Sequence, residues 1–367
     1  MLGIGVRTTG AVLAGGGMGH KSSEMPGVVH DSAPSDQETF WRGEELLVIE
    51  EDADHVALRS ALQGRGYDTA AGVRRYRFPD REVDELVAEL LQGPGLAPRV
   101  SVNHLFAAQH RPPWFPHGHE TYHFANFEAP QQVPAPPGFL PPAEQGPVRV
   151  GVLDTEVDHP VLRERTVMLG SAPLQVGLRT NEAYGHGVLV AGLIASRAPR
   201  AGLVVAPVMD GNGVVEEFRV IQALDRPELR ACPVLNLSFA GYTEGDQPPP
   251  ALSTVLDRYK GQGGVVVAAA GNSGVTRPYW PAALPGVVAV GALDATGAPW
   301  PFSNHDSWID IWARGVDVVS TYLDGGWARW SGTSAAAAQV SGAIAALIDQ
   351  GVWPMAAVTR LVQAGTL

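Results

Sequence analysis

From Val148 onward, short runs of almost uninterrupted apolar residues recur between stretches of helical periodicity. They are Val148 to Leu153, Leu203 to Met209, Val234 to Phe239, Gly264 to Ala270 and Val287 to Gly291. A strand facing water on one side alternates apolar and polar residues, whereas a strand covered on both faces does not. The runs therefore predict parallel strands with helices on both sides, the helices falling near 187–197, 214–230, 251–262 and 334–349. The fold class of residues 148–367 is read as α/β, a doubly wound, mostly parallel sheet. Reactive groups in such a fold lie outside the carboxyl ends of the strands.

The chain before this unit divides in three. Residues 1–40 are rich in Gly and Ser, lack periodicity, and are expected to be mostly disordered. Gly15 to Ser22 (GGGMGHKS) has the look of a phosphate loop, but His20 stands where the glycine before the lysine belongs. Residues 41–108 read as a small α+β domain: strands at Glu45 to Ile49, Tyr67 to Phe78 (one strand or two) and Val100 to Phe106, and helices at Asp54 to Gln63 and Asp80 to Leu91. Residues 109–147 hold ten prolines and read as a linker or wrapping segment. His117, His119 and His123 lie there, but no carboxylate-rich or helical context makes them a metal site, so surface histidines are the expected reading.

Composition narrows the function classes. Lys plus Arg is 26 against 38 for Asp plus Glu, a net charge of −12 with no basic block. Nucleic-acid binding is not expected. The single cysteine, Cys232, excludes an intrachain disulfide and a cysteine zinc site. No stretch reaches 18 uninterrupted apolar residues, so no membrane helix is expected. Residues 11–19 lack a good apolar core and a clear cleavage site for a signal peptide. The expected compartment is the cytoplasm, with secretion as the alternative.

Four polar residues sit at strand ends or helix starts: Asp154 closing VGVLDT, His186 opening GHGVLVAGLIA, Asn272 in AAAGNSG, and Ser334 after Gly332-Thr333. Each alone has a plain structural explanation, as a helix cap or a turn residue. Together, in the order Asp, His, Asn, Ser, they form a set with a chemical sense. A serine hydroxyl is a weak nucleophile until a base takes its proton. A histidine does this best when a carboxylate fixes its tautomer, and the resulting oxyanion needs donors.

With these residues in place, the chain resembles the subtilisin-like serine proteases, over roughly 148–349. The Asp…His…Ser order is that of the family. Further ordered matches are Ala198-Pro199-Arg200-Ala201, Val234 to Ser238, Tyr279-Trp280-Pro281-Ala282 with Val287 to Ala292, Phe302-Ser303-Asn304, and Ile309 to Gly315. The resemblance implies a serine endopeptidase with Asp154, His186 and Ser334 as triad and Asn272 as oxyanion donor. It implies peptide or protein substrates bound as a strand along Ser238, Phe239 and Ala240, with Ala269, Ala270 and Gly271 as the far wall of the pocket. It also gives residues 41–108 the sense of a propeptide-like domain acting as intramolecular inhibitor, its last strand (Asn103 to Ala108) feeding towards the cleft. A separate recognition domain is the rival reading of that unit.

Departures from the family pattern are Glu156, Leu189, Ala335 and Ala338, where the family usually has Gly, His, Met and Pro. Glu156 is read as a solvated loop residue, or else as a second carboxylate near His186. There is no room between Ile194 and Ala198 for the loop that holds calcium in many relatives. No metal and no cofactor are expected. Two alternatives to the endopeptidase remain: a non-catalytic peptide-binding module on the same fold, motivated by the departures, and an acid peptidase using Ser, Glu and Asp, motivated by Glu156.

Overall fold

A computed structural model describes residues 20–21, 28–31, 39–92, 97–108, 129–140, 145–170, 182–210 and 213–367. In chain order the N-terminal unit comprises β1 (His20–Lys21), β2 (Val28–Asp31), β3 (Thr39–Ile49), α1 (Val56–Leu62), β4 (Tyr67–Ala70), β5 (Val73–Arg77), α2 (Val83–Leu91) and β6 (Val100–Ala107). The strands form one antiparallel sheet in which β3 pairs with β2 and β5 along one edge and β6 along the other. Two of these strands, β1 and β2, fall in the stretch expected to be disordered, and β3 begins there. Residues 28–31 pair with 39–42 through backbone groups, which carries no apolar periodicity for a sequence reading to detect. The rest of 1–40, including Gly15 to Gly19, lies outside the described residues, as do His117, His119 and His123.

The second unit comprises β7 (Gln131–Val133), β8 (Arg149–Asp154), β9 (Thr166–Met168), α3 (His186–Arg197), β10 (Gly202–Pro207), β11 (Val214–Glu216), α4 (Glu217–Leu224), α5 (Pro227–Arg230), β12 (Val234–Leu237), α6 (Pro250–Gly261), β13 (Val265–Ala269), β14 (Val288–Leu293), β15 (Ile311–Arg314), β16 (Val318–Thr321), β17 (Trp327–Trp330), α7 (Thr333–Asp349) and α8 (Pro354–Ala364). Seven strands form a parallel sheet in the order β15-β14-β13-β12-β8-β10-β9. The chain leaves β8 towards β10 on one side and returns to β12 on the other. The carboxyl ends of β8 and β12 thus flank a topological switch point.

The continuous apolar runs are explained by two cores. Val150 and Val152 of β8 join Val265 and Val267 of β13 on the face covered by α3 and α7. Leu153 and Val266 face the opposite side, with Phe218 and Ile221 of α4 and Leu252 and Leu256 of α6. The same logic holds for Leu46 to Ile49. Leu46 and Val48 pack with Leu58 and Leu86 of the unit's own helices. Leu47 and Ile49 belong instead to the core shared with α4 and α6, together with Val73 and Phe106. The N-terminal sheet therefore covers the second unit's helices, and each of these side chains contributes about 1.5–3 kcal/mol on burial.

Two further differences from the sequence reading bear on the site. The stretch 214–230 is not one helix: β11 precedes α4, and α5 follows it. Within the Pro-rich stretch, β7 pairs with β17 and adds a strand to the hairpin leading to Ser334.

Candidate active site

β8 delivers Asp154 to the carboxyl edge of the sheet, where it is fully buried. Its carboxylate accepts the Thr155 amide at 2.7 Å. His186 Nδ1 lies 2.8 and 3.0 Å from the two carboxylate oxygens and donates to them. The imidazole is 1% exposed. Thr155 sets the register of the two residues: its hydroxyl accepts the Gly187 amide at 2.9 Å and donates to the Tyr184 carbonyl at 3.0 Å. Gly187 is required at this close approach, because a Cβ there would stand 2.6 Å from the Thr155 carbonyl oxygen. On another side Trp330 meets the imidazole edge-on, with ring centres 5.8 Å apart.

Ser334 is the second residue of α7 and is 2% exposed. A helix start places unpaired amides and the positive end of the helix dipole beside it. Ala335 and Ala338 lie in the first turns of α7, which begins at Thr333 without the usual Pro. Asn272 follows β13 and the buried pair Ala269-Ala270. Its Oδ1 accepts both the amide and the hydroxyl of Thr333, each at 2.9 Å. The Thr333 hydroxyl in turn accepts the Gly271 amide at 3.0 Å. Two donors on Oδ1 fix the sense of the side-chain amide, so Nδ2 is the group left to donate elsewhere.

The structure thus joins Asp154 to His186, and joins Gly271 and Asn272 to the start of α7. It does not join His186 to Ser334. Ser334 Oγ donates to the Ser238 carbonyl at 3.3 Å, and His186 Nε2 is buried with no hydrogen-bond partner among the described residues. Ser238 is itself held: its Oγ accepts from Asn236 Nδ2 at 2.7 Å, and Asn236 Oδ1 accepts from Ser341 of α7 at 2.9 Å.

The segment Ser238-Phe239-Ala240, expected to hold substrate, already holds a strand of the same chain. Ala107 and Ala240 exchange two backbone hydrogen bonds of 3.0 Å. On its other edge β6 pairs antiparallel with β11, Ala107 with Val214, Phe106 with Val215 and Leu105 with Glu216. The Ala108 amide then donates to the Gly213 carbonyl at 2.8 Å. Phe106 is 1% exposed and stacks on Phe239 with centroids 6.1 Å apart. Gly241 leaves the room, since a Cβ there would lie 2.8 Å from the Phe106 ring. Sequence reasoning missed this second edge, because Val214-Val215-Glu216 merges with the helical pattern that follows it. The β-branched pair Val214-Val215 was the available signal.

Nearby, burial pushes the Tyr242 and Tyr279 phenols above their usual range, so both remain protonated donors at neutral pH. Glu156 lines a cavity with Asp158 and Arg163 on the β9 side. Leu189 is buried in the core beneath α3. Among the described residues no group of three His, Cys, Asp or Glu side chains is placed to hold a metal ion, and no helix is long and apolar enough to cross a membrane.

Residues 146–363 match the family model described as the subtilase family. The "Thermophilic serine proteinase" of Bacillus sp. (strain AK1) is 30% identical over 279 residues, covering 73% of this chain and 67% of that protein. Subtilisin E of Bacillus subtilis (strain 168) is 33% identical over 221 residues, and the match spans 55% of this chain and 56% of the relative. Among solved structures, a cold adapted subtilisin-like serine proteinase aligns with a TM-score of 0.52 at 28% identity, covering 59% of this chain and 81% of the other. A mutant of the protease domain of PatA aligns with a TM-score of 0.55 at 27% identity, covering 63% and 94%. The match takes in every strand of the parallel sheet and the helix starts that carry His186 and Ser334, and the chain belongs to the subtilase family of serine proteases.

Proposed function

We propose that this chain is a serine endopeptidase acting through Asp154, His186 and Ser334, and that its N-terminal unit holds it inhibited. The observation that carries the reading is the buried His186–Asp154 pair, set at the switch point beside a serine at a helix start. Asp154 accepts the Nδ1 proton, so the lone pair is on Nε2, and that atom faces no competing partner. When Ser334 Oγ turns from the Ser238 carbonyl to Nε2, the imidazole takes its proton as Oγ attacks the substrate carbonyl. The C–O double bond becomes an oxyanion, stabilised by the Asn272 Nδ2 donor and the Ser334 amide. The imidazolium returns the proton to the leaving amine as the C–N bond breaks, leaving an acyl-enzyme that water hydrolyses by the same steps.

Inhibition follows from occupancy. β6 uses both backbone edges that a substrate strand needs, and Phe106 fills the room beside Phe239 and Gly241. Arg42 of β3 reaches across β6 to Glu216 of β11, its Nε donating at 3.0 Å, and so straps the strand in place. The chain continues from Ala108 towards Gln109 and His110, where self-cleavage would separate the two units.

The test is labelling with a fluorophosphonate probe at neutral pH, wild type beside Ser334→Ala. Labelling of the wild type alone supports the reading, and the size of the labelled band reports whether the N-terminal unit has been cut away. Absence of labelling both before and after limited proteolysis refutes the enzyme reading and favours a binding module. A neutral-to-alkaline optimum excludes an acid peptidase built on Glu156.

A further inference from the structure

The contact between β6 and the second unit does not end at the backbone ladder. Two residues upstream of Leu105, side chains of β6 enter the enzyme's surface. Asn103 is fully buried: its Oδ1 accepts the Phe218 amide at 3.0 Å, and its Nδ2 donates to Glu45 at 2.6 Å. His104 is 5% exposed, and its Nδ1 lies 2.6 Å from Glu217 Oε2. Glu217 is fully buried, and its other oxygen accepts the Leu252 amide at 3.0 Å. Glu217 is therefore fixed by the enzyme through one oxygen, while the other faces the strand in the cleft.

From this arrangement we infer that Glu217 is a specificity-determining residue, reading the side chain four residues before the position of Ala108. The inference rests on the peptidase reading and on substrate following the path of β6. A carboxylate has acceptors only, so the occupant of that position must bring a hydrogen-bond donor or a cation. A carboxylate in the occupant would set two like charges together in a site that β6 buries completely. The backbone amide at that position also donates to Glu217 Oε2, at 3.4 Å, so an apolar occupant would leave the carboxylate only this long hydrogen bond from the strand. The neighbouring Phe218 amide asks for the opposite chemistry one residue earlier, an acceptor where Asn103 now lies. The substrate class is an extended peptide with an acceptor followed by a donor or cation, then the apolar pair at Leu105-Phe106 and the small pair at Ala107-Ala108.

The full-length chain, after its own processing, is assayed with internally quenched peptides copying residues 100–112, carrying His104 unchanged or as His104→Lys, His104→Gln or His104→Asp. For the wild-type enzyme the Lys and His peptides should exceed the Asp peptide in kcat/KM by about tenfold, with Gln between them. In a Glu217→Gln enzyme, which keeps an oxygen for the Leu252 amide, the penalty on the Asp peptide should fall to about twofold. If Glu217→Gln does not fold, the wild-type series decides alone. Equal kcat/KM across the wild-type series, or an unchanged ranking in Glu217→Gln, overturns the inference. Failure to cut any peptide, with no fluorophosphonate labelling, removes the peptidase reading and this inference with it, an outcome distinct from equal cleavage.

Discussion

Phe106→Ala isolates the grip of the N-terminal unit on the cleft. The side chain is 1% exposed and belongs to the core shared with α4 and α6, not to the unit's own core around Leu46, Val48 and Leu86. Its loss should therefore weaken docking while leaving the unit folded. Burial of a phenylalanine contributes about 1.5–3 kcal/mol, and its stacking on Phe239 adds about 0.5–1.5 kcal/mol. In the docked state the truncated side chain also leaves a cavity, which adds to the loss, so about 3 kcal/mol is a conservative figure. A loss of about 3 kcal/mol raises the open fraction by about 100-fold. Under the proposed inhibition, Ser334 is reached by a fluorophosphonate only when β6 leaves, so the labelling rate of the intact chain should follow that opening equilibrium. A rise of this order is expected. A rate within twofold of wild type, with unchanged circular dichroism and thermal midpoint, would refute the view that β6 gates the serine.

Asp154→Asn keeps the shape of the site but offers His186 Nδ1 the wrong hydrogen-bonding group, and kcat should fall by about four orders of magnitude. Asn272→Ala removes a side-chain donor and should lower kcat by 10²–10³-fold, about 3–4 kcal/mol, with little change in KM; a large KM effect would assign Asn272 to substrate binding instead. Burial pushes the Cys232 thiol up to about 12, so iodoacetamide at pH 8 should label it only after unfolding. Because the folded pKa is raised, this thiol's contribution to stability is whole below about pH 8.5 and declines as pH rises towards the folded value. Urea midpoints of wild type and Cys232→Ala, compared across that window, check the sign.

The parallel sheet was legible because Val148 to Leu153 and its counterparts show no alternation, and only cover on both faces permits that. Asp154, His186, Asn272 and Ser334 stood out as candidates because reactive types recurred at the ends where such sheets place sites. The relation between His186 and Ser334 was not, since side-chain rotation leaves no trace in residue order. β2 escaped because its pairing with Thr39 to Arg42 is a backbone matter. β11 escaped because three residues are too few for a period of two to declare itself against the helix that follows. The run Leu46 to Ile49 carried more information than a strand assignment extracted: like the central strands, it lacks alternation, and so required a second covering surface.

We propose that this covering surface ties folding to inhibition. Leu47 and Ile49 lie against α4 and α6, and the first turn of α4 receives polar groups from β6. Asn103 accepts the Phe218 amide of α4, and His104 binds Glu217, whose other oxygen accepts the Leu252 amide of α6. Helix starts leave amides unpaired, and a cap typically contributes about 1 kcal/mol. The parallel sheet behind them is built from non-local pairings, such as β8 with β12, which form slowly. A unit that docks on both helices, caps α4 and holds the Glu217 that caps α6 lowers the cost of ordering that half of the sheet before its strands are paired. In the proposed scheme the docking that would help the enzyme form also places Leu105 to Ala108 between β11 and Ala240. Weakening the apolar face at Leu47 should accordingly reduce the yield of folded enzyme, whereas Phe106→Ala should chiefly free the serine. The two substitutions separate the roles through yield on one side and labelling rate on the other.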